Sequence, residues 1–243
     1  MITDPLATPP PLAQGGDFFR ERTGTSCVEE NGTFCFQWAA DNIDTYVTPT
    51  LEQLYLVVLS VAAGFVIALA LALLSHRRRW LVPPLTGFTG VLYTIPSLAF
   101  IFLLIPITGF GTLTAVIPLT AYTLQIIYRN IVAGLANVPA ASKDAGRGMG
   151  MTDRQLLWRV ELPLAVPEIV AGLRIATVST VAIATFAFFA GAGGLGEPLY
   201  ADIGFKTNVI ISGGLAILMA IAFDALLVVG GRFVSPWRKA RPV

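Results

Sequence analysis

Five long apolar segments alternate with shorter polar stretches along the chain. They cover approximately residues 51–74, 85–108, 112–133, 167–190 and 208–231. Each exceeds the ~20 residues that an α-helix needs to cross the hydrocarbon core of a bilayer. Because hydrocarbon offers no partner to a free backbone amide, the segments are predicted as helices rather than open strands. The pattern therefore predicts an all-α membrane protein, a polytopic helical bundle with about five transmembrane helices.

The composition strengthens this prediction and excludes several other classes. Of the 243 residues, 55% are hydrophobic and 13% are charged, about half the charged share of a soluble domain. The chain lacks a basic stripe interleaved with aromatic residues, which disfavours nucleic-acid binding. Its one histidine, His76, follows an apolar segment and is interpreted as an interfacial polar residue. The two cysteines lack the spacing of metal ligands, so no metal site is expected.

The distribution of basic residues predicts the orientation of the helices. Arg77, Arg78 and Arg79 follow the first apolar segment, which places that loop in the cytoplasm by the positive-inside rule. Alternation then places the loop at 134–166 and the C-terminus inside as well. Twelve of the sixteen Lys and Arg residues lie on this side or at its boundary. The sequence therefore predicts an N-terminus outside the cell and a cytoplasmic C-terminus.

The first 47 residues differ in character from the rest of the chain. They contain several prolines and seven of the fifteen acidic residues, and they lack the basic start and apolar core of a signal peptide. We expect an extracytoplasmic, poorly ordered tail over 1–47, a transmembrane domain over 48–235 and a cytoplasmic tail over 236–243. Cys27 and Cys35 would face an oxidising compartment, where they could form a disulfide or remain free thiols.

The loop at 134–166 is the longest connection between the apolar segments. Its sequence favours two short helices broken at 148–151. Thr152 is expected to cap the second helix, with a glutamine three residues later completing a capping box. Pro163 and Pro167 are expected to end that helix and turn the chain into the membrane. The two helices form a candidate docking element, and the alternative is a connecting loop that lies on the bilayer surface.

This loop contains a spaced motif that resembles the EAA motif in permease subunits of bacterial ABC importers. The family motif reads Glu-Ala-Ala, three residues, Gly, nine residues, Ile, one residue, Leu-Pro. The same spacing is present at Asp144, Ala145, Gly146, Gly150, Val160, Leu162 and Pro163. Three of these positions depart from the motif: Asp144 replaces Glu, Gly146 replaces the second Ala, and Val160 replaces Ile. The glycine would loosen the helix somewhat.

Further stretches resemble the osmoprotectant branch of these permeases, which serves glycine betaine, carnitine and choline. They are Thr94-Ile95-Pro96-Ser97-Leu98, Tyr128-Arg129-Asn130, and the stretches at 148–152, 161–167, 171–177 and 191–196. The resemblance covers about residues 50–235. It implies a type I ABC importer permease fold in a bacterial cell membrane, and a pathway for a small osmoprotectant. It also implies three kinds of partner: a second permease subunit or another copy of this chain, two cytoplasmic ATPases and an external solute-binding protein.

The source of energy must lie on another chain. This chain has no Gly-Lys dipeptide, so it lacks a phosphate loop that ends in Gly-Lys-Ser/Thr. No cofactor is expected on this chain, and ATP and Mg would be used by the partner ATPase. By resemblance, the helix from Asp144 to Gly150 inserts into a groove of the ATPase, with Gly150 forming the turn. The movement of the ATPases would then become a rigid-body movement of the spans.

Six residues within the apolar segments are candidates for a role in the pathway or the membrane. Arg174 and Asp224 lie at similar depths in the fourth and fifth segments, so we expect them to form an ion pair. Contact with the substrate or a proton relay is the alternative for these two. Pro96 and Pro118 could kink the second and third segments. The polar side chains available to line a path beside Pro96 are those of Thr94, Ser97 and Gln125.

A glycine-rich stretch at 191–196 follows the fourth segment. It matches the pattern GxGxxG, but it follows a membrane span rather than a strand, which argues against a dinucleotide site. A turn in which backbones pack closely is the expected structure. By resemblance, this outer loop could contact the binding protein through Glu197 and Asp202.

Other functions are compatible with parts of the pattern. An ABC import permease for methionine or a sulfonate would share the EAA-like motif. An ion-coupled secondary transporter would need inverted repeats and more charge at the bilayer midplane, and we find neither in the sequence. An intramembrane enzyme would need a Ser/His or His/Glu constellation, and the single histidine at a helix end does not supply one.

Overall fold

The computed structural model describes residues 26–234, and within this range the regular structure is helical. The predictions for 1–25 and for the C-terminal tail at 236–243 lie outside the described residues. In chain order the α-helices are α1 Ser26–Glu30, α2 Phe36–Asp41, α3 Val47–Arg77, α4 Val82–Thr94, α5 Ser97–Thr108, α6 Thr112–Ala136, α7 Ala140–Gly148, α8 Asp153–Leu156, α9 Leu162–Ala184, α10 Gly196–Ala201 and α11 Lys206–Val234.

Helix α6 forms the centre of the bundle. It packs against α3 on one side and α9 on another, while α11 packs mainly against α9. Small residues allow the close approach, because a Cβ added at Gly64 of α3 would overlap Thr123, and one at Gly172 of α9 would overlap Asn130. Close contact through small residues is the usual basis of helix packing in membranes.

By length and composition, three described helical stretches could cross a membrane: Ile43–Arg77, Asp153–Ala184 and Lys206–Val234. The bent pair of α4 and α5 would add a fourth if it forms a single span.

The third predicted segment forms α6, which has 25 residues but is less apolar than the three stretches that could cross a membrane. Its buried face carries Thr114, Thr123 and Gln125, which suit a helix surrounded by protein better than one exposed to lipid. The fourth predicted segment, 167–190, forms helix α9. This helix ends earlier than predicted, at Ala184, before a 3-10 helix at Ala187–Ala190.

The second predicted segment, 85–108, is helical on both sides of a sharp break at Pro96, where a kink was expected. Helices α4 and α5 meet at 92° across a short break, where Ile95 and Pro96 are extended with ψ of 125° and 131°. Proline lacks an amide hydrogen and disfavours helical backbone in the residue before it. The Tyr122 hydroxyl of α6 donates a hydrogen bond to the Ile95 carbonyl left free at the break. Pro118, by contrast, lies inside an uninterrupted α6.

The prediction that Pro163 and Pro167 end the second loop helix is wrong. Helix α8 continues through a π-helix at Leu157–Glu161 directly into α9. Pro163 directly follows the π-helix inside this continuous helical stretch, where proline removes one backbone hydrogen bond. The wider π turn precedes it and changes the hydrogen-bond pattern at this point. The second helix of the loop at 134–166 and the fourth span are therefore one helical rod.

Residues 26–46 are folded, which differs from the poorly ordered tail expected there. Cys27 and Cys35 form a disulfide, and Trp38 packs edge-to-face on Phe205 at 4.8 Å between ring centroids. The Cys35 amide donates to the Thr207 hydroxyl at 2.9 Å. Further contacts join Asn31 to Gly204 and Lys206, and Tyr46 to Asn208. The segment thus covers the beginning of α11.

Candidate functional site

The EAA-like loop, residues 134–166, presents the exposed face of α7. Asp144 and Arg147 form a loose pair, 3.5 Å between Oδ1 and Nη1, with side chains 73% and 59% exposed. Ala145 and Met149 are also exposed. Surface pairs of this kind contribute little to stability. The face is therefore free to meet another protein without disturbing the core of the bundle.

The opposite face of α7 packs against the helical rod that leads into α9. Gly146 is buried, and a Cβ added there would lie 2.6 Å from Leu156 Cδ1 and 3.8 Å from Val160 Cγ2. The absence of a side chain lets α7 approach α8 closely. The motif residues Gly146 and Val160 are thus brought together, and Leu162 packs against the main core at the start of α9.

Gly150 forms the turn between α7 and α8. Its φ is +78°, a region that residues with a Cβ seldom adopt. Nothing lies within 4 Å of a Cβ added at this position, so the requirement for glycine comes from the backbone rather than from packing. The Gly150 amide donates to the Arg147 carbonyl, and the Met151 amide donates to that of Gly146. The next helix begins with the predicted capping box at Thr152.

A buried ionic cluster lies behind α7, and sequence reasoning missed it. Glu161 is 4% exposed. Its Oε2 lies 2.7 Å from Nε2 of His76, and its Oε1 lies 3.8 Å from Nζ of Lys143. The Lys143 ammonium also donates to the Leu135 carbonyl at 3.3 Å. His76 is therefore more than an interfacial residue. The available signal was a carboxylate between Val160 and Leu162, directly before the apolar stretch that forms α9.

Three of the six pathway or membrane candidates meet at the break between α4 and α5. Thr94 ends α4 and donates to the Val91 carbonyl at 2.7 Å, Pro96 lies in the break, and Ser97 begins α5. Gln125 is buried in α6, and its Nε2 lies 3.7 Å from a Cβ added at Gly90 of α4. Its Oε1 has no hydrogen-bond partner among the described residues. A buried polar atom without a partner is costly and calls for an explanation.

Arg174 and Asp224 form a bidentate ion pair between α9 and α11. The Nε–Oδ1 distance is 2.7 Å and the Nη2–Oδ2 distance is 2.8 Å. The side chains are 39% and 36% exposed. Asp224 lines a cavity of about 510 Å³, and the other lining residues are Val178, Val181, Ala182, Ala216, Ile217, Ala220 and Ile221. The two-point geometry fixes the relative position of the two helices.

The glycine loop, residues 191–196, lies at the other end of α9 from the EAA-like loop. The Glu52 carboxylate accepts a hydrogen bond from the Gly194 amide at 2.9 Å, and Gln53 Oε1 accepts one from Leu195 at 3.2 Å. A Cβ added at Gly193 would overlap the Glu52 carboxylate. Positive φ values of 72° and 95° at Gly193 and Gly194 complete the close-packed turn.

The two candidates for binding-protein contact lie near this loop. Glu197 is exposed in the first turn of α10. Asp202 follows the same helix, and its carbonyl accepts hydrogen bonds from the Phe205 amide and the Asn208 side chain. The folded segment at 26–46 lies beside them. These residues form one end of the bundle, and the EAA-like loop forms the other.

A helical membrane bundle with an exposed helix on its longest interhelical loop is the architecture of a transport permease. The chain belongs to the family of binding-protein-dependent transport system inner membrane components, whose model matches residues 60–235. It is therefore a subunit of a membrane transport system rather than an enzyme.

Relatives and solved structures agree with this family. The osmoprotectant import permease protein OsmW of Salmonella typhimurium is 39% identical over 77% of this chain and 90% of its own length. The glycine betaine/carnitine/choline permease protein OpuCB of Bacillus subtilis is 34% identical over 77% and 87%. The inward-facing MetNI methionine ABC transporter matches with a TM-score of 0.65 and 25% identity, over 78% of this chain and 94% of its own. The fold is that of type I ABC importer permeases.

Proposed function

We propose that this chain forms the membrane pathway of an ATP-driven importer for a small osmoprotectant such as glycine betaine, carnitine or choline. The main support for an ATP-driven mechanism is the EAA-like motif, which lies on a helix with one exposed and one packed face. The solute class is supported by the names of the relatives OsmW and OpuCB. The bidentate pair of Arg174 and Asp224 supports a structural role for these residues, tying α9 to α11.

The proposed assembly has the chain paired with a second permease subunit, either a copy of itself or a paralogue. The exposed face of α7 docks on a cytoplasmic ATPase, which binds ATP and Mg. The N-terminus then lies outside the cell and the C-terminus in the cytoplasm, as the basic residues indicate. The opposite end of the bundle, with Glu197 and Asp202, receives the external solute-binding protein.

The proposed path for the solute passes the break between α4 and α5. Thr94, Pro96 and Ser97 interrupt the helix there, and broken helices expose backbone groups that can line a cavity. Gln125 supports this location, because its buried amide has an unused oxygen. The path would open between α4, α5 and α6.

The test is uptake by the complete transporter, reconstituted with its ATPase and its binding protein in proteoliposomes. Labelled glycine betaine, carnitine, choline and methionine form the panel, with vesicles lacking ATP as the control. ATP-dependent uptake of at least one quaternary ammonium solute is expected. Uptake of none of the four would contradict the proposed function.

A second candidate is an importer for methionine. The similarity to MetNI at a TM-score of 0.65 favours it, and the EAA-like loop is compatible with either solute. The same panel separates the two, because uptake of methionine alone would replace the osmoprotectant assignment.

A further inference from the structure

Glu161, His76 and Lys143 form the buried ionic cluster described above, here called the Glu161 cluster. It joins four elements at the end of the bundle that contains the EAA-like loop. Glu161 is the last residue of the π-helix before α9, and His76 lies in the last turn of α3. Lys143 belongs to α7, and its second contact is the Leu135 carbonyl near the end of α6. The exposed docking helix is thus connected through Glu161 to α3 and α9, and through Lys143 to α6.

The buried position of Glu161 makes its partners necessary. An ionised carboxylate removed from water is costly unless it is paired and hydrogen-bonded. Nε2 of His76 lies 2.7 Å from Oε2 of Glu161, but the contact lacks hydrogen-bond geometry, and Oε2 accepts no hydrogen bond among the described residues. Lys143 supplies a positive charge at 3.8 Å. If α7 moved away without α9 and α3, the carboxylate would lose a partner while it remained buried.

The cluster lies behind the face that α7 presents to solvent. Asp144 and Arg147 are exposed, whereas the Lys143 side chain is 17% exposed and that of Glu161 is 6% exposed. Glu161 is therefore out of reach of an ATPase docked on α7. Its contacts act within the permease, between the helix that receives a movement and the helices that must follow it.

We propose that Glu161 is a positioning residue that makes α7, α3 and α9 move as one body. The inference rests on the proposed function, in which α7 docks on the ATPase. Movement of α7 acts on Lys143, then on Glu161, and through it on α9 and on His76 of α3. The π turn that ends at Glu161 joins this cluster to the rod that continues into the membrane.

Glu161→Gln tests the proposal in the assembled, reconstituted transporter. The variant keeps the size of the side chain and removes its charge. We expect ATP hydrolysis within about twofold of wild type and about tenfold less solute taken up per ATP hydrolysed, since coupling between sites typically spans 5–150-fold. Glu161→Asp should recover part of the loss because it keeps the charge.

Glu168→Gln is the matched control. This carboxylate lies about two turns further along the same rod, and it forms no ion pair within the described part of the chain. Its uptake per ATP should equal that of wild type. Lys143→Gln provides a second variant if Glu161→Gln does not assemble, and it should lower uptake per ATP in the same direction. Wild-type coupling in either cluster variant would overturn the proposal.

A solute-independent measurement separates this inference from the proposed function. Hydrogen exchange in the detergent-solubilised complex should become faster at 140–148 and in the last turn of α3 together in Glu161→Gln, and remain unchanged in Glu168→Gln. Unchanged exchange at both places would overturn the role of Glu161. A wild-type complex that takes up none of the solutes would contradict the proposed function, and the exchange comparison would still decide the role of Glu161.

Discussion

Single glycines determine the shape of both ends of the bundle, for two different physical reasons. Gly150 lies in open space and is required only by its φ of +78°. Gly194 is required by its φ of +95° and also by its neighbour, because an added Cβ would lie 2.6 Å from Gln53 Oε1. That oxygen accepts a hydrogen bond from the Leu195 amide. A substitution at Gly194 therefore disturbs both the backbone and a buried hydrogen bond.

Gly194→Ala should lower the free energy of unfolding by about 1–3 kcal/mol, the usual cost of a strained backbone conformation. Gly213→Ala is the control, because nothing lies within 4 Å of a Cβ added at this position inside α11. That change should leave stability equal or slightly higher. Thermal unfolding of the purified protein in detergent measures both variants, and equal midpoints for the two would contradict this reading of the glycine loop.

Residue-scale features could be predicted from the sequence where their causes are local. The capping box at Thr152 depends on a residue three positions away, and the structure contains it. The pairing of Arg174 with Asp224 follows from their similar depth in two apolar segments. Glu161 could not be assigned in this way, because its partners are 18 and 85 positions away. Only the packing of α3 and α7 brings them together.

At the scale of elements, the two prolines of interest act in opposite ways. Pro96 separates α4 from α5 by a 92° bend, whereas Pro163 is accommodated in a rod that continues through a π turn. The apolar pattern could predict that helices occupy these segments. It could not predict which proline breaks a helix, because that depends on partners for the freed backbone groups. Tyr122 supplies such a partner at the break.

Tyr122→Phe should therefore destabilise the bend. The lost hydroxyl leaves the Ile95 carbonyl without this donor, at a cost of about 1 kcal/mol for a typical intramolecular hydrogen bond. Tyr93→Phe is the matched control. The ring centroid of Tyr93 lies 5.4 Å from that of Tyr122, but the hydroxyl that donates to the Ile95 carbonyl belongs to Tyr122. Unfolding in a denaturing detergent measures the difference in stability between the two variants. Equal stability would contradict a stabilising role for the hydrogen bond from Tyr122 to Ile95.

The Arg174–Asp224 pair ties α9 to α11, and a double-mutant cycle measures this. Asp224→Asn and Arg174→Met should each lower the unfolding midpoint, since each leaves a charged or polar group without its bidentate partner. The double variant should lose less than the sum of the two single losses. Strict additivity would mean that the pair makes no contribution to the contact between the helices.

At the scale of the whole molecule, the arrangement has a central helix with buried polar side chains and a cap at one end. Helix α6 is surrounded by α3, α4, α5 and α9, which explains why it is less apolar than the outer helices. Residues 26–46 cover the beginning of α11 through a disulfide, an aromatic contact and several hydrogen bonds. The acidic, proline-rich composition of 1–47 indicated a poorly ordered tail. Composition averages over residues and therefore does not reveal specific contacts such as these.

The disulfide should stabilise this cap. Closing a loop of about nine residues contributes roughly 2–3 kcal/mol in the chain-entropy model. The double substitution of Cys27 and Cys35 by serine should therefore speed hydrogen exchange at 204–208. Addition of a reductant to the wild-type protein should have the same effect and should not change the double variant. Unchanged exchange in the serine variant would show that the cap holds α11 without the disulfide.

The central claim is that the EAA-like loop converts ATP hydrolysis on a partner into solute movement through this chain. The most direct test compares ATP-dependent uptake by reconstituted transporters that carry wild-type permease or Gly150→Asp. The variant forces a side chain and a charge into a turn with positive φ on the docking face. We expect normal membrane insertion, with both uptake and solute-stimulated ATP hydrolysis abolished. Uptake at the wild-type rate by Gly150→Asp would contradict the account.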